Sequence, residues 1–71
     1  MSKRDRVARL LRQRRRAWVS ALVLARTVRS LAIHTEVDRC RWELGMVIAN
    51  KVERTRTGVR SWYRYERKAA A

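Results

Sequence analysis

Apolar positions recur along this chain with a helical period in three places and with strict alternation near its end. Val7, Leu10 and Leu11 fall at i, i+3 and i+4, with Arg9, Arg12 and Gln13 opposite, which predicts an amphipathic helix. Ser2 can cap its start, and Asp5 lies in the first turn, where the helix dipole favours an anion. The run Arg14-Arg15-Arg16 breaks the apolar face and is expected to end the helix, its cations suited to the free carbonyls of a last turn. Ala17-Trp18-Val19 reads as a short strand. Ser20 offers a second cap, followed by Ala21, Leu24, Ala25 and Val28 at helical spacing, with Leu22 assisting. A polar break covers 27–30, and Ser30 is a further cap. Beyond it Ile33, Val37, Cys40 and Leu44 repeat at i, i+4, i+7 and i+11, one continuous helical stripe, and Gly45 follows where a left-handed helix stop favours glycine.

After Gly45 the period changes. Met46-Val47-Ile48-Ala49 with Val52 is rich in β-branched residues. A polar stretch over 53–58 ends in Gly58, and then Val59, Ser61, Tyr63 and Tyr65 alternate with Arg60, Trp62, Arg64 and Glu66. Two such runs around a glycine-containing polar turn predict a β-hairpin. The competing reading, two long helices with Ile48 and Val52 continuing the third stripe, conflicts with Gly45, Gly58 and the terminal alternation. Residues 1–66 are therefore expected to form one domain, and 67–71 a flexible tail.

The order helix, short strand, helix, helix, hairpin is the layout of a winged helix–turn–helix domain, an α+β fold. The chain resembles the small winged-helix DNA-binding proteins common in bacteriophage and prophage genomes. The residues carrying the likeness are "RVARLLRQ" for the first helix, "WVSALVLAR" leading into the second, "HTEVDRCRWELGMVI" for the third helix and its exit, and "NKVERTRTGVRSWYRYE" for the wing; together they cover roughly residues 4–66. The resemblance implies that the third helix enters the major groove of double-stranded DNA. Its candidate contacts are His34, Thr35, Asp38, Arg39, Arg41 and Trp42. Arg39 is the best placed by chemistry to read guanine, Thr35 can meet a thymine methyl or a phosphate, and Asp38 can accept from cytosine or orient a neighbouring arginine. Arg14, Arg15 and Arg16, with Lys51, Arg54, Arg56 and Arg60 of the wing, are the candidate backbone contacts, which position the protein without reading sequence.

Charge sharpens this picture. Of 71 residues, 19 are Lys or Arg and 6 are Asp or Glu, a formal net charge of +13. Sixteen of the cations are arginine, the residue suited to phosphate. Residues 1–29 carry +9, 30–45 carry −1 and 46–71 carry +5, so two basic flanks enclose a near-neutral third helix. If about six phosphates are neutralised, log K should fall against log salt with a slope near −5.

Candidate chemistry beyond binding is sparse. One Cys excludes an internal disulfide, and Cys40 falls in the apolar stripe as a small core residue. His34 has no companions at zinc spacing, so neither metal nor cofactor is expected, and no paired acid and base suggests an enzyme. Trp18 and Tyr63 are expected in the core, Trp42 and Trp62 on exposed faces. The longest apolar run, Ala17 to Ala25, is too short to span a membrane, which needs roughly 20 residues. The basic start imitates a targeting peptide but no small-x-small cleavage site follows it, and the chain is expected to keep its first residues. The leading expectation is a non-enzymatic, sequence-specific DNA-binding regulator, or a recombination directionality factor, in the cytoplasm of a bacterial host and associated with its nucleoid. A homodimer on paired half-sites is the usual form of such proteins, although no heptad or extra dimer helix is evident. Two alternatives from other classes are a basic helical subunit of an RNA–protein assembly and a small phage effector that grips host transcription machinery, such as RNA polymerase, through Trp42 or Trp62.

Overall fold

The computed structural model describes residues 2–68, and its element order is the one the sequence predicts: α1 (Lys3–Gln13), β1 (Val19–Ser20), α2 (Ala21–Val28), α3 (Ile33–Leu44), β2 (Met46–Thr55) and β3 (Gly58–Lys68). The fold is α+β, with three helices against one face of an antiparallel sheet of order β1-β3-β2. Ser2 caps α1, its Oγ accepting from the Asp5 N–H at 3.1 Å. Val7, Ala8 and Leu11 face the core, and the helix stops at Gln13, where three arginines leave nothing apolar to bury. Arg16 takes a left-handed φ of 57°, which turns the chain towards the sheet.

Local signals and local structure part company at several points. β1 begins at Val19, leaving Ala17 exposed and Trp18 half-buried on the sheet face away from the helices, so Trp18 is not a core residue. Ser20 both pairs with Trp62 and caps α2, its Oγ accepting from the Val23 N–H at 3.1 Å. In α2, Leu24 and Val28 are buried with Ala21 and Ala25 packed beside them, but Leu22 points outward. Ser30 does not cap α3. Its Oγ accepts instead from Ala32 N, two residues on, closing a turn, and α3 starts at Ile33 with no side-chain cap. Gly45 does end α3 in the left-handed region, at φ 65°. That stop puts β2 where the two-helix alternative would have continued the third stripe.

The hairpin is longer and its turn tighter than the polar stretch over 53–58 suggests. β2 runs on to Thr55, which pairs with Gly58, leaving only Arg56 and Thr57 in the turn. Both keep negative φ, and Gly58 supplies the unusual conformation at φ 143°. At the other end β3 takes in Arg67 and Lys68, which were expected in the tail; 69–71 lie outside the described residues. A register shift between Val47 and Ile48 inserts one extra residue on β3 near the sheet base.

The core joins Val7, Leu11, Leu24, Val28, Val37 and Cys40, all fully buried, with Met46, Ile48 and Tyr63 from the sheet. Leu44, last in the α3 stripe, is only partly buried at its edge. Leu24→Ala is therefore expected to cost about 2–5 kcal/mol, and Leu44→Ala less than that, measured by urea unfolding. For a chain this size the first loss removes much of a total stability of roughly 5–10 kcal/mol.

Candidate nucleic-acid interface

Opposite its buried stripe, α3 exposes Thr35, Asp38, Arg39 and Trp42, at i, i+3, i+4 and i+7. Trp42 is 86% exposed. The charges of this face are already engaged. Arg39 Nε donates to Glu43 Oε2 at 2.9 Å, and its Nη1 lies 3.6 Å from Glu36 Oε2. That Glu36 oxygen is buried and in ion-pair range but makes no hydrogen bond. Arg4 of α1 reaches Glu43 as well, at 3.3 Å. The Arg39 hydrogen bond holds the Glu43 carboxyl below its usual pKa. The fork proposed to read guanine is thus occupied from both sides.

His34 and Arg41 lie on the shoulder of α3 that faces the sheet. Arg41 Nη1 donates to Asp38 Oδ1 at 2.8 Å and its Nη2 to the Ile48 carbonyl at 2.9 Å, while its guanidinium sits 5.9 Å from the Tyr63 ring centre. Asp38 therefore orients Arg41, one of the two roles its spacing allowed. His34 Nδ1 shares a hydrogen bond with the Tyr63 hydroxyl. Burial pushes the Tyr63 phenol above its ordinary pKa, so the hydroxyl stays protonated.

The first turn of α2, the start of α3 and the outer part of β3, residues 59–62, converge on a cleft of about 480 Å³. Leu22, His34, Val59, Ser61 and Trp62 are among its walls. β1 ends at Ser20, so the edge of β3 beyond Trp62 has no strand beside it here. Leu22 and Val59 are 59% and 64% exposed, large apolar groups facing solvent across one opening. Neither was legible beforehand: Leu22 resembled a helper of the α2 stripe, and Val59 the start of an inward row.

The basic residues assigned to the backbone fall into separate places. Arg54, Arg56 and Arg60 are exposed on the outer half of the hairpin and have no acid partner among the described residues. Lys51 does not join them. It sits on the sheet face away from the helices, its Nζ 4.8 Å from the Trp18 ring centre and 5.5 Å from that of Trp62, and 3.4 Å from Glu53. Arg64 covers Trp18 at 4.5 Å and pairs with Glu66. Arg64, Trp18, Lys51 and Trp62 so form a cation–aromatic cluster whose charge Glu53 and Glu66 balance, and Trp62 is half-buried rather than exposed. Its indole Nε1 is buried without a hydrogen-bond partner. The sequence showed the Arg60–Glu66 row, but placing Trp18 in the core hid the cluster.

Arg14, Arg15 and Arg16 lie at the other end of the molecule. Arg15 and Arg16 line a hollow with Tyr65, Glu66 and Arg67 at the base of the hairpin, up to nine residues along β3 from Gly58. That is roughly 30 Å at strand rise, so these arginines and the wing tip do not close on one point. Among the described residues no group of three or more His, Cys, Asp or Glu is placed to hold a metal ion, and no helix is long and apolar enough to cross a membrane.

Cys40 is fully buried, its Sγ donating to the Arg4 carbonyl at 3.3 Å, and burial raises its pKa to about 11. Alkylation by iodoacetamide at mildly alkaline pH is expected to be far slower in the native protein than in urea, measured by mass shift over time. The Asp5 and Glu43 carboxyls are both held low by arginines, Arg4 and Arg39 respectively. A group depressed on folding stabilises above its unfolded pKa and loses that contribution as pH falls through the folded value. The melting temperature should therefore decline as pH drops below the ordinary carboxylate range, with a shallower decline in Glu43→Gln, followed by thermal melts across the acid range.

No family model matches this chain, and no curated protein and no solved structure matches it either.

Proposed function

We propose that the chain is a winged helix–turn–helix protein that binds double-stranded DNA as a regulator of phage or bacterial type, acting in the host cytoplasm. One observation carries this reading. The starts of α2 and α3 meet the outer part of β3 at one cleft, which Arg60 helps to line, and Arg54, Arg56 and Arg60 lack acid partners among the described residues. In such a fold α3 lies in the major groove and the wing follows the adjacent backbone. With the charged side chains of α3 internally paired, affinity comes from the wing, and base reading falls to Thr35 and Trp42 rather than Arg39 or Asp38. A recombination directionality factor would use the same surface, and a second copy on a neighbouring half-site would extend it.

A second reading has its own observation. Trp42 and Leu31 stand almost wholly in solvent on α3 and on the turn before it, where a protein partner such as a host polymerase subunit could bury them. Selection of bound sequences from random duplex DNA separates the two, because an enriched motif supports the regulator and unenriched binding favours the protein partner. On the enriched site, Arg54→Ala with Arg56→Ala should weaken specific and random duplexes alike and flatten the salt slope by up to about two. Thr35→Ala should lose preference at one or two base pairs, and Arg39→Ala should change little. Wing variants that bind as well as the parent would overturn the reading.

A further inference from the structure

We propose that the back of the helical layer is a second nucleic-acid surface, so that one molecule holds two DNA segments together; this rests on the DNA-binding reading above and adds a bridging activity to it. The starting observation is where the acids are. All six carboxylates lie within ion-pair distance of a cation, and the cations they engage are Arg4, Arg39, Arg41, Lys51 and Arg64. Those pairs sit at the start of α1, along α3 and on the outer sheet face. Five cations and six acids there nearly cancel.

Among the cations without acid partners in the described residues two groups stand out, with Lys3, Arg26 and Arg29 belonging to neither. One is the wing. The other begins on α1, where Arg6, Arg9 and Arg12 are exposed at three-residue spacing, about 9 Å from first to last along the axis. Arg9 stands on the crest. Arg6 leans with it towards α2, where the two share a hollow with Thr27, and Arg12 leans towards α3, beside Leu44. The ridge continues through Arg14, Arg15 and Arg16 to the hairpin base.

Two features set this ridge apart from the first surface. α1 packs on the buried side of α3, with Cys40 Sγ donating to the Arg4 carbonyl, so the α1 crest and the exposed α3 stripe look in different directions. The arginine turn also lies roughly 30 Å from the wing tip along β3. A stiff duplex seated on α3 and the wing tip leaves the ridge uncovered. Cations held this close repel one another, and the acids that share their hollows, Asp5 and Glu66, are ion-paired to Arg4 and Arg64 and do not pair with them. A second polyphosphate does, releasing its own counterions as it binds.

The test uses the full chain, a biotinylated duplex on beads and a fluorescent duplex in solution. Binding of the protein to either duplex alone is measured first. The unaltered protein should carry fluorescent duplex onto the beads while sedimenting as a monomer in the absence of DNA. Arg6→Gln with Arg9→Gln and Arg12→Gln, all exposed changes, should bind a single duplex within a few-fold of the parent yet recover roughly tenfold less of the second duplex. Arg54→Gln with Arg56→Gln and Arg60→Gln should lose both. If the unaltered protein binds one duplex and captures no second, or the α1 variant bridges as well as the parent, the inference is wrong. Equal loss of single-duplex binding in both variants also overturns it, since bulk charge and not a second face would then be at work. Failure of the unaltered protein to bind any duplex would remove the DNA-binding reading itself, and the bridging with it.

Discussion

Tyr63 ties the sheet to the helix that the proposed function depends on. It lies midway along the central strand, paired with Val19 on one side and Asn50 on the other, and is almost completely buried. Its hydroxyl meets His34 at the start of α3, and Arg41, about two turns later, lies over its ring and reaches across to β2. One phenol therefore fixes both the height and the rotation of α3 over the sheet. The cleft and the outward stripe of α3 follow from that placement, because turning the helix by a single residue would carry Thr35, Asp38 and Trp42 by about a quarter of a turn.

The electrostatics divide the molecule differently from the chain. By sequence the neutral segment is α3, bounded by two basic flanks. In space the neutral region also includes the outer sheet face, because Lys51 and Arg64 turn onto Trp18 and find Glu53 and Glu66. What remains unpaired is concentrated at the wing and along α1. Exposed ion pairs of this kind add little to stability. Their effect is to remove some cations from the surface and leave others, which decides where a polyanion settles.

Much of the fold was legible because its signals are periodic. The stripes of α1, α2 and α3, the Ser2 and Ser20 caps and the Gly45 stop all rest on spacing along one element, and each lies where the sequence places it. Features that depend on two elements were not. Ser30 has the chemistry of a cap, but the backbone offered a nearer N–H. The polar stretch over 53–58 looks like a loop, yet pairing with β3 carries the strand through it, since every ladder bond satisfies groups that would otherwise need water. Among the site residues, exposure of Thr35, Asp38 and Trp42 followed from the period of α3. The engagement of Arg39 by Glu36 and Glu43 is present in the sequence as i−3 and i+4 spacing, and it competes with base reading by the same guanidinium. The separation of Arg14–Arg16 from the wing needed the sheet register, which no local pattern contains.

Ser20 belongs to two elements at once, the last residue of β1 and the cap of α2, and no linker separates them. Its strand partner, Trp62, is four residues along β3 from the turn glycine. The hairpin is thus a cantilever whose root is also the anchor of a helix. A force on its tip has no loop in which to dissipate and passes as torque into the start of α2. On the DNA-binding reading, a tip tied so directly to a helix leaves the bending to the duplex, and selectivity extends to how easily that duplex deforms, including at base pairs that no side chain reaches.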